Sequence, residues 1–331
     1  MDSSQSMAQT GMSDALSTIA AWPMVSVIVP VYNGAKSLPG LLIALQKQTY
    51  PQSLIEIILA DNNSDDGSDQ LAKSFSNVQV VYERQIQNAG AARNKAMVSA
   101  NGEIFAFTDA DCVPEENWVE QGVEHLLHSK CDRMAGAILF APLSPDSSPA
   151  ALLDALYNLN QQFLVDHFQA AVTANLFVKK HLFNHIGPFH TDYFEDMQWN
   201  RRASLAGFSI VYGPNAIVKH PPRADLNSIW EKGRRSGRGV FALCQSEQRG
   251  GWLGNRHILR MGRMLLVPRT LHWERLPFAA KSLSNHQYLT IELLKWLAIN
   301  IAETWGYLQW WWRALNQSSK NLDKPRSRQQ A

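Results

Sequence analysis

A chain of 331 residues that is 45% hydrophobic and only 18% charged can bury a sizeable core, which excludes disorder as its general state. The net charge of +2 conceals an asymmetry: beyond residue 227 stand 17 Lys and Arg against 6 Asp and Glu, and before it 14 against 23, so the two parts face different partners. Cys112, Cys131 and Cys244 are widely spaced with no CxxC pair, which argues against a disulfide framework or a structural zinc site and suits a reducing cytosol.

Residues 1–23 lack the basic start and apolar run of a secretory signal and are expected to be a flexible tail. No segment is read as a transmembrane span. From Val25 onward, apolar runs of strand length alternate with segments of helical period, the pattern of a parallel sheet with helices on both faces. Strands are expected over Ser26–Val31, Ile55–Ala60, Val78–Tyr82, Ile104–Thr108 and Met134–Phe140. Helices are expected over Leu38–Gln48, Ser68–Ser76, Ala89–Ala100 and Glu115–Leu127.

The turn-rich segment Ala141–Pro149 predicts a loop, followed by one long helix from Ala150 to about Gln169, a strand near Leu176–Val178 and a helix from Glu195 to Ala206. Ser209–Tyr212 and Ala216–His220 return to the sheet. These elements make a catalytic domain over 24–225. Residues 226–331 form a helical, basic, Trp-rich region, with Arg234, Arg235, Arg238, Arg256, Arg260, Arg263, Arg269 and Arg275 among Leu, Met, Phe and Trp, a composition suited to a membrane surface. A last helix near Tyr288–Leu315 places Glu292, Lys295 and Glu303 close to one polar stripe and is expected to lie in an interface or against a partner helix.

Ligands of open α/β sheets bind outside the carboxyl ends of the strands, so polar residues directly after apolar runs are the candidates for chemistry. VSVIVPVYN ends in Tyr32 and Asn33, EIILADNNSDDGS in Asp61, and GEIFAFTDADCVP in Asp109 and Asp111. Two carboxylates one residue apart with an open face suffice for Mg2+ or Mn2+ carrying a diphosphate, since such ions keep waters and phosphate oxygens as their other ligands. The alternative is a strand end turning before Pro114. Asp61 and the following Asn62, Asn63 and Ser64 can bond a base or ribose, or form an Asx turn capping the helix at Gly67. NAGAARNKA, residues 88–96, sets Gly90 at a helix start with Arg93 and Asn94 one turn in, either facing phosphate or forming a solvated face.

Taken in order, these motifs, followed by Phe194-Glu195-Asp196 and a helix with Arg201 and Arg202, resemble the family 2 inverting glycosyltransferases of the GT-A fold, over about Val25 to His220. The resemblance implies a Rossmann-like mixed sheet flanked by helices, a nucleotide-sugar donor with a UDP-sugar foremost, and a divalent metal. It implies that Asp61 contacts the base with Arg93 near it, that Asp109 and Asp111 serve the metal and diphosphate, and that Asp196 is the catalytic base. His220, before Pro221-Pro222, resembles a position where some GT-A enzymes supply a further metal or phosphate contact. The expected donor site comprises Pro30, Tyr32, Asn33, Asp61, Asn63, Asn88, Arg93, Asp109, Ala110 and Asp111, with Asp109, Asp111 and His220 at the metal.

Asp196 also suits the role on chemical grounds, because a single displacement needs a carboxylate to take the acceptor's hydroxyl proton. Helix N-terminal charge bias is the plainer account of Glu195 and Asp196. The QxxRW pattern of processive relatives is absent, which favours transfer of one sugar. Asn62 stands where relatives often carry a second Asp, leaving base specificity open. The expected acceptor is a saccharide or lipid-linked saccharide of the cell envelope, met at the cytosolic membrane face. Nucleic acid is not expected as a partner, because Trp and Leu among the cations suit lipid better. The competing functions are a nucleotidyltransferase, for which PVYNGAKSLPG has too few glycines and cations, and a non-catalytic membrane-surface protein.

Overall fold

The computed structural model describes residues 22–191, 194–247, 262–263, 266, 271–277 and 282–322. Most of the expected N-terminal tail, and Arg256, Arg260 and Arg269, lie outside the described residues.

One sheet is built from β1 (Val25–Val31), β2 (Ile55–Asp61), β3 (Val78–Tyr82), β4 (Ile104–Thr108), β5 (Val113–Pro114), β6 (Arg133–Phe140), β7 (Asn175–Lys179) and β8 (Ile210–His220). The strand order is β3-β2-β1-β4-β7-β6-β8-β5. The first four neighbours run parallel, as the alternating pattern predicts. Beyond β4 the sheet is mixed: β7 runs against both β4 and β6, while β8 runs with β6 and β5 against β8. The departure comes from β7, which starts opposite Thr108 at the carboxyl end of β4 and runs back along it and along Ala135 to Arg133 of β6.

The helices are α1 (Leu38–Gln46), α2 (Ser68–Lys73), α3 (Ala89–Val98), α4 (Trp118–His128), α5 (Pro149–Tyr157), α6 (Gln161–Phe168), α7 (His181–Ile186), α8 (Glu195–Leu205), α9 (Leu226–Glu247), α10 (Asn285–Leu294) and α11 (Ala302–Leu322). Strand alternation assigns the two cores. Val25, Val27, Val29 and Val31 pack with Leu38, Leu41, Leu42 and Leu45 of α1 and Trp118 and Val123 of α4. Ile28, Ile58, Phe105 and Phe107 face the other way, onto Ala92 and Ala96 of α3 and Trp199 of α8. Buried apolar side chains on both faces hold the strand ends, and so the site, in fixed relation.

The single long helix expected from Ala150 to Gln169 is two. Leu159 adopts φ 52°, and the Asn160 side chain accepts the Phe163 N–H at 3.1 Å to start the second. A competent cap inside an apolar pattern outweighed its period. At the C-terminal side, α9 and α11 meet backbone to backbone. A Cβ on Gly237 would lie 1.9 Å from the Glu303 carbonyl oxygen, and one on Gly306 would lie 2.1 Å from that of Arg234. Between α10 and α11, Lys295–Ile301 is π-helical. Lys295 pairs with Glu292, but Glu303, expected on the same polar stripe, is buried towards α9, because the wider turns intervene. A third core of Phe140, Leu152, Leu153, Leu156, Ile229, Ile291 and Ile299 ties these helices to the sheet rim. No helix among the described residues is long and apolar enough to cross a membrane.

Candidate active site

The rim of β1 and β2 is fixed by short polar side chains. Asn33, at φ 51°, donates its backbone N–H to Ser64 Oγ and accepts the Asp65 N–H on its side chain, both at 3.0 Å. Asn62 donates from Nδ2 to the carbonyls of Glu83 and Ile86 at 3.0 and 2.9 Å. Asn63 donates to the Arg84 carbonyl at 3.3 Å. These bonds lock the two loops that flank Asp61. Asp61 itself is 1% exposed, its Oδ2 stands 3.6 Å from Arg84, and its Oδ1 has no hydrogen-bond partner. A buried carboxylate oxygen left open is costly unless a donor reaches it, and a base N–H or ribose hydroxyl is such a donor. Pro30 lies opposite Ala60 within the β1–β2 ladder, and the Tyr32 ring stands 56% exposed beyond it.

Beyond β4, Asp109, Ala110 and Asp111 form a turn whose Cys112 N–H bonds back to the Asp109 carbonyl at 3.0 Å. Ala110 packs towards the first core. His220, ending β8, brings Nε2 to 3.7 Å from Asp111 Oδ1, while its Nδ1 lies 2.7 Å from the Pro221 carbonyl. That contact places the ring proton on Nδ1 and turns the lone pair of Nε2 towards Asp111, the arrangement of a metal-binding histidine with its orienting partner. Asp111, Cys112 and His220 bring ligand atoms within 4.8 Å of one another. Burial pushes the Cys112 thiol well up, so it stays protonated and the fitting donors are the carboxylate and the imidazole. Burial also raises Asp111, and His220 opposes the rise only when it is protonated.

Arg93 is 4% exposed. It donates from Nη2 to Asp109 Oδ1 at 2.8 Å and from Nη1 to Glu195 Oε1 at 3.0 Å. Burial would lower its proton affinity, but Asp109, Glu195 and Asp196 raise it instead. It is therefore neither a solvated helix residue nor a guanidinium standing free for phosphate. The start of α3 is likewise filled from within: Asn88 caps it by accepting the Gly90 N–H at 2.7 Å, and a Cβ on Gly90 would meet the His190 carbonyl oxygen at 2.5 Å. Asn94 exchanges hydrogen bonds with the Phe189 backbone at 2.8 and 2.9 Å. The expected phosphate-facing helix start thus corrects to a packing joint, because Gly90 admits the segment leading into α8.

Asp196 sits in the first turn of α8 and accepts the Met197 N–H at 2.7 Å. Burial, then the adjacent Glu195, pushes its carboxyl up to about 6, against the pull of Arg93 and Lys232. The helix is anchored from below by Arg133, fully buried in β6, which donates to Asn200 Oδ1 at 2.7 Å and to the Phe208 carbonyl at 2.8 Å. Asn200 in turn donates to the Asp196 carbonyl at 2.9 Å. Arg84 and Arg133 were missed as parts of the site. Arg84 alone gave a signal, following β3 as the other candidates follow their strands.

From the C-terminal side, α9 reaches the same place. The Phe194 ring, directly before Glu195, lies where a Cβ of Gly239 would be, at 2.2 Å. Burial and Arg223 lower the Lys232 ammonium while Asp196 holds it up; Arg235 is lowered by burial and Arg223 and held up by Glu231 and Glu195.

The family model for glycosyl transferase family 2 matches residues 26–187. Glycosyltransferase AglE of Haloferax volcanii is 30% identical over 307 residues, covering 89% of this chain and 98% of that protein. O-antigen chain rhamnosyltransferase WbaN of Salmonella anatum is 27% identical over 67% of this chain and 73% of its own. Among solved structures, mannosyltransferase PcManGT from Pyrobaculum calidifontis, in complex with GDP-Man and Mn2+, shares the fold at a TM-score of 0.54 and 19% identity, over 96% of this chain and 94% of that one.

Proposed function

The chain belongs to glycosyl transferase family 2, has the GT-A fold and is a glycosyltransferase; from that premise we propose that it moves a sugar from a nucleoside diphosphate to an acceptor hydroxyl in one inverting displacement. The observation that carries this reading is the Arg93 bridge, 2.8 Å from Asp109 and 3.0 Å from Glu195. It joins the strand-end carboxylates to the helix carrying Asp196, so donor and base share one site.

Asp61 Oδ1 accepts from the base or ribose, and the Asn33 and Asn63 loops hold the nucleoside against it. Asp196 takes the proton of the acceptor hydroxyl as that oxygen attacks the anomeric carbon opposite the diphosphate. The anomeric C–O bond breaks, and its electron pair leaves with the diphosphate. Arg93 keeps Asp109 and Glu195 in place while charge redistributes, with no reorganisation of its own. Asp111 and His220, with Asp109 alongside, would hold Mg2+ or Mn2+, which when bound neutralises charge on the departing diphosphate.

The acceptor is a saccharide, free or lipid-linked, of an envelope or surface glycan, a reading supported by the O-antigen chain activity named for the Salmonella relative. The protein works at the cytosolic face of the membrane and touches it through the exposed Leu289, Leu293, Trp296, Trp305 and Trp312, with the cationic surplus of the C-terminal part drawing it to anionic lipid.

The test is a panel of nucleotide sugars with Mg2+ or Mn2+, UDP-sugars first and GDP-mannose beside them, read as nucleoside diphosphate release and by calorimetry. One donor is expected to bind and turn over only with metal. Binding of none, with no release from any, overturns the proposal.

A further inference from the structure

Helix α9 has two faces with different work. Gly233, Gly237 and Arg234 meet α11, as does Phe241, whose ring lies 5.3 Å from that of Tyr307. Lys232, Arg235 and Gly239 follow at intervals of three and four residues and share the other face. The Phe194 ring seats itself on Gly239, which directs this face at the first turn of α8 and so at Glu195 and Asp196.

Lys232 is half-buried and Arg235 exposed, and neither has a hydrogen-bond or ion-pair partner among the described residues. Two of the nearby acids are already engaged. Glu195 is held by Arg93, and Asp154 binds Arg223 through both carboxylate oxygens at 3.2 Å. Asp196 acts on Lys232, and Glu231 and Glu195 on Arg235, without a direct bond, so part of the desolvation cost of the two cations is left uncovered from within. An anion arriving with a substrate offsets it. The face acts on Asp196 through Lys232 and on Glu195 through Arg235, which sets it beside the base, where the acceptor stands.

We propose that Lys232 and Arg235 form a subsite for a phosphate group carried by the acceptor, an assignment that rests on the donor–base reading above. A Lys point charge and a flat Arg fork together match several oxygens of one phosphate better than a single carboxylate does. A lipid phosphate and a phosphate on a soluble sugar present the same oxygens.

The test uses the full chain preloaded with Mg2+ and the nucleoside diphosphate of the donor identified above, titrated calorimetrically with inorganic phosphate and, separately, with octyl phosphate below its micellar concentration. Phosphate is expected to bind the loaded protein and to bind at least tenfold more weakly to the Lys232→Gln/Arg235→Gln variant, with nucleotide affinity within twofold and an unchanged melting temperature. Octyl phosphate held more tightly than inorganic phosphate identifies a lipid source, and equal affinity a soluble one. Because Arg235 is exposed, Arg235→Gln alone keeps the test valid if the double variant does not fold, and a fall of at least threefold is expected there. No phosphate binding to the loaded wild type, unchanged binding in the variants, or a parallel loss of nucleotide affinity overturns the subsite; the last result assigns both cations to the donor. Failure of every nucleoside diphosphate to bind removes the donor reading, and the subsite with it.

Discussion

The strand-end rim and the helix pair α9–α11 are made rigid by opposite means. At the rim, side chains bond backbone: Asn33 with Ser64 and Asp65, Asn62 with Glu83 and Ile86. In the helix pair, side chains are withdrawn so that backbones touch at Gly233, Gly237 and Gly306. The first design leaves polar atoms over, such as Asp61 Oδ1, and so suits a ligand. The second has close packing as its main product and can bring a whole helix face to the site in one piece.

If the two regions do separate jobs, Asp196→Asn, which keeps the shape of the base but not its charge, lowers kcat by about 10³-fold while nucleotide affinity stays put. Calorimetry beside turnover checks it, and a parallel loss of nucleotide binding would merge the two regions into one. Gly237→Val strikes the helix pair, where a Cβ would stand 1.9 Å from a carbonyl oxygen. It should destabilise the fold by about 3 kcal/mol in a denaturant titration. Gly262→Ala, where nothing lies within 4 Å of the added carbon, should change little. Asp61→Asn acts on the rim alone and is expected to weaken nucleotide binding about tenfold with no fall in stability, since the carboxylate it removes is buried with one oxygen unsatisfied.

The smallest effect concerns pH. Asp196 is pushed up to about 6 and must be unprotonated to accept a proton, so kcat/KM should be level above that pH and fall as pH drops through it. Glu195 is one cause of the raised value, after burial, so Glu195→Gln should move the acid limb to lower pH. A limb that stays in place assigns the rise to burial alone.

What the sequence disclosed divides along the same line. The strands and their polar ends were legible because each is local, a short apolar run closed by a turn residue, whereas the capping role of Asn88 was not read. The role of Arg93 was not legible, since Glu195 lies 102 positions from it, and His220 was placed at the metal by the resemblance alone, since nothing near it announces Asp111. The break at Leu159 was hidden because Asn158 and Asn160 sit inside an otherwise continuous apolar period. Gly233 and Gly237 lower the helix propensity of α9, and only the backbone at Ala298 and Glu303 packed against them gives them a reason.

The π-helical stretch Lys295–Ile301 has one more effect. Its hydrogen bonds close a residue later than those of an α-helix, so over its length the spiral lags by about a third of a turn. In an uninterrupted α-helix, Trp305 and Trp312 would point away from Leu289 and Leu293. With the lag they fall into line with those leucines and with Trp296, and the five exposed side chains make a single greasy keel running along both helices.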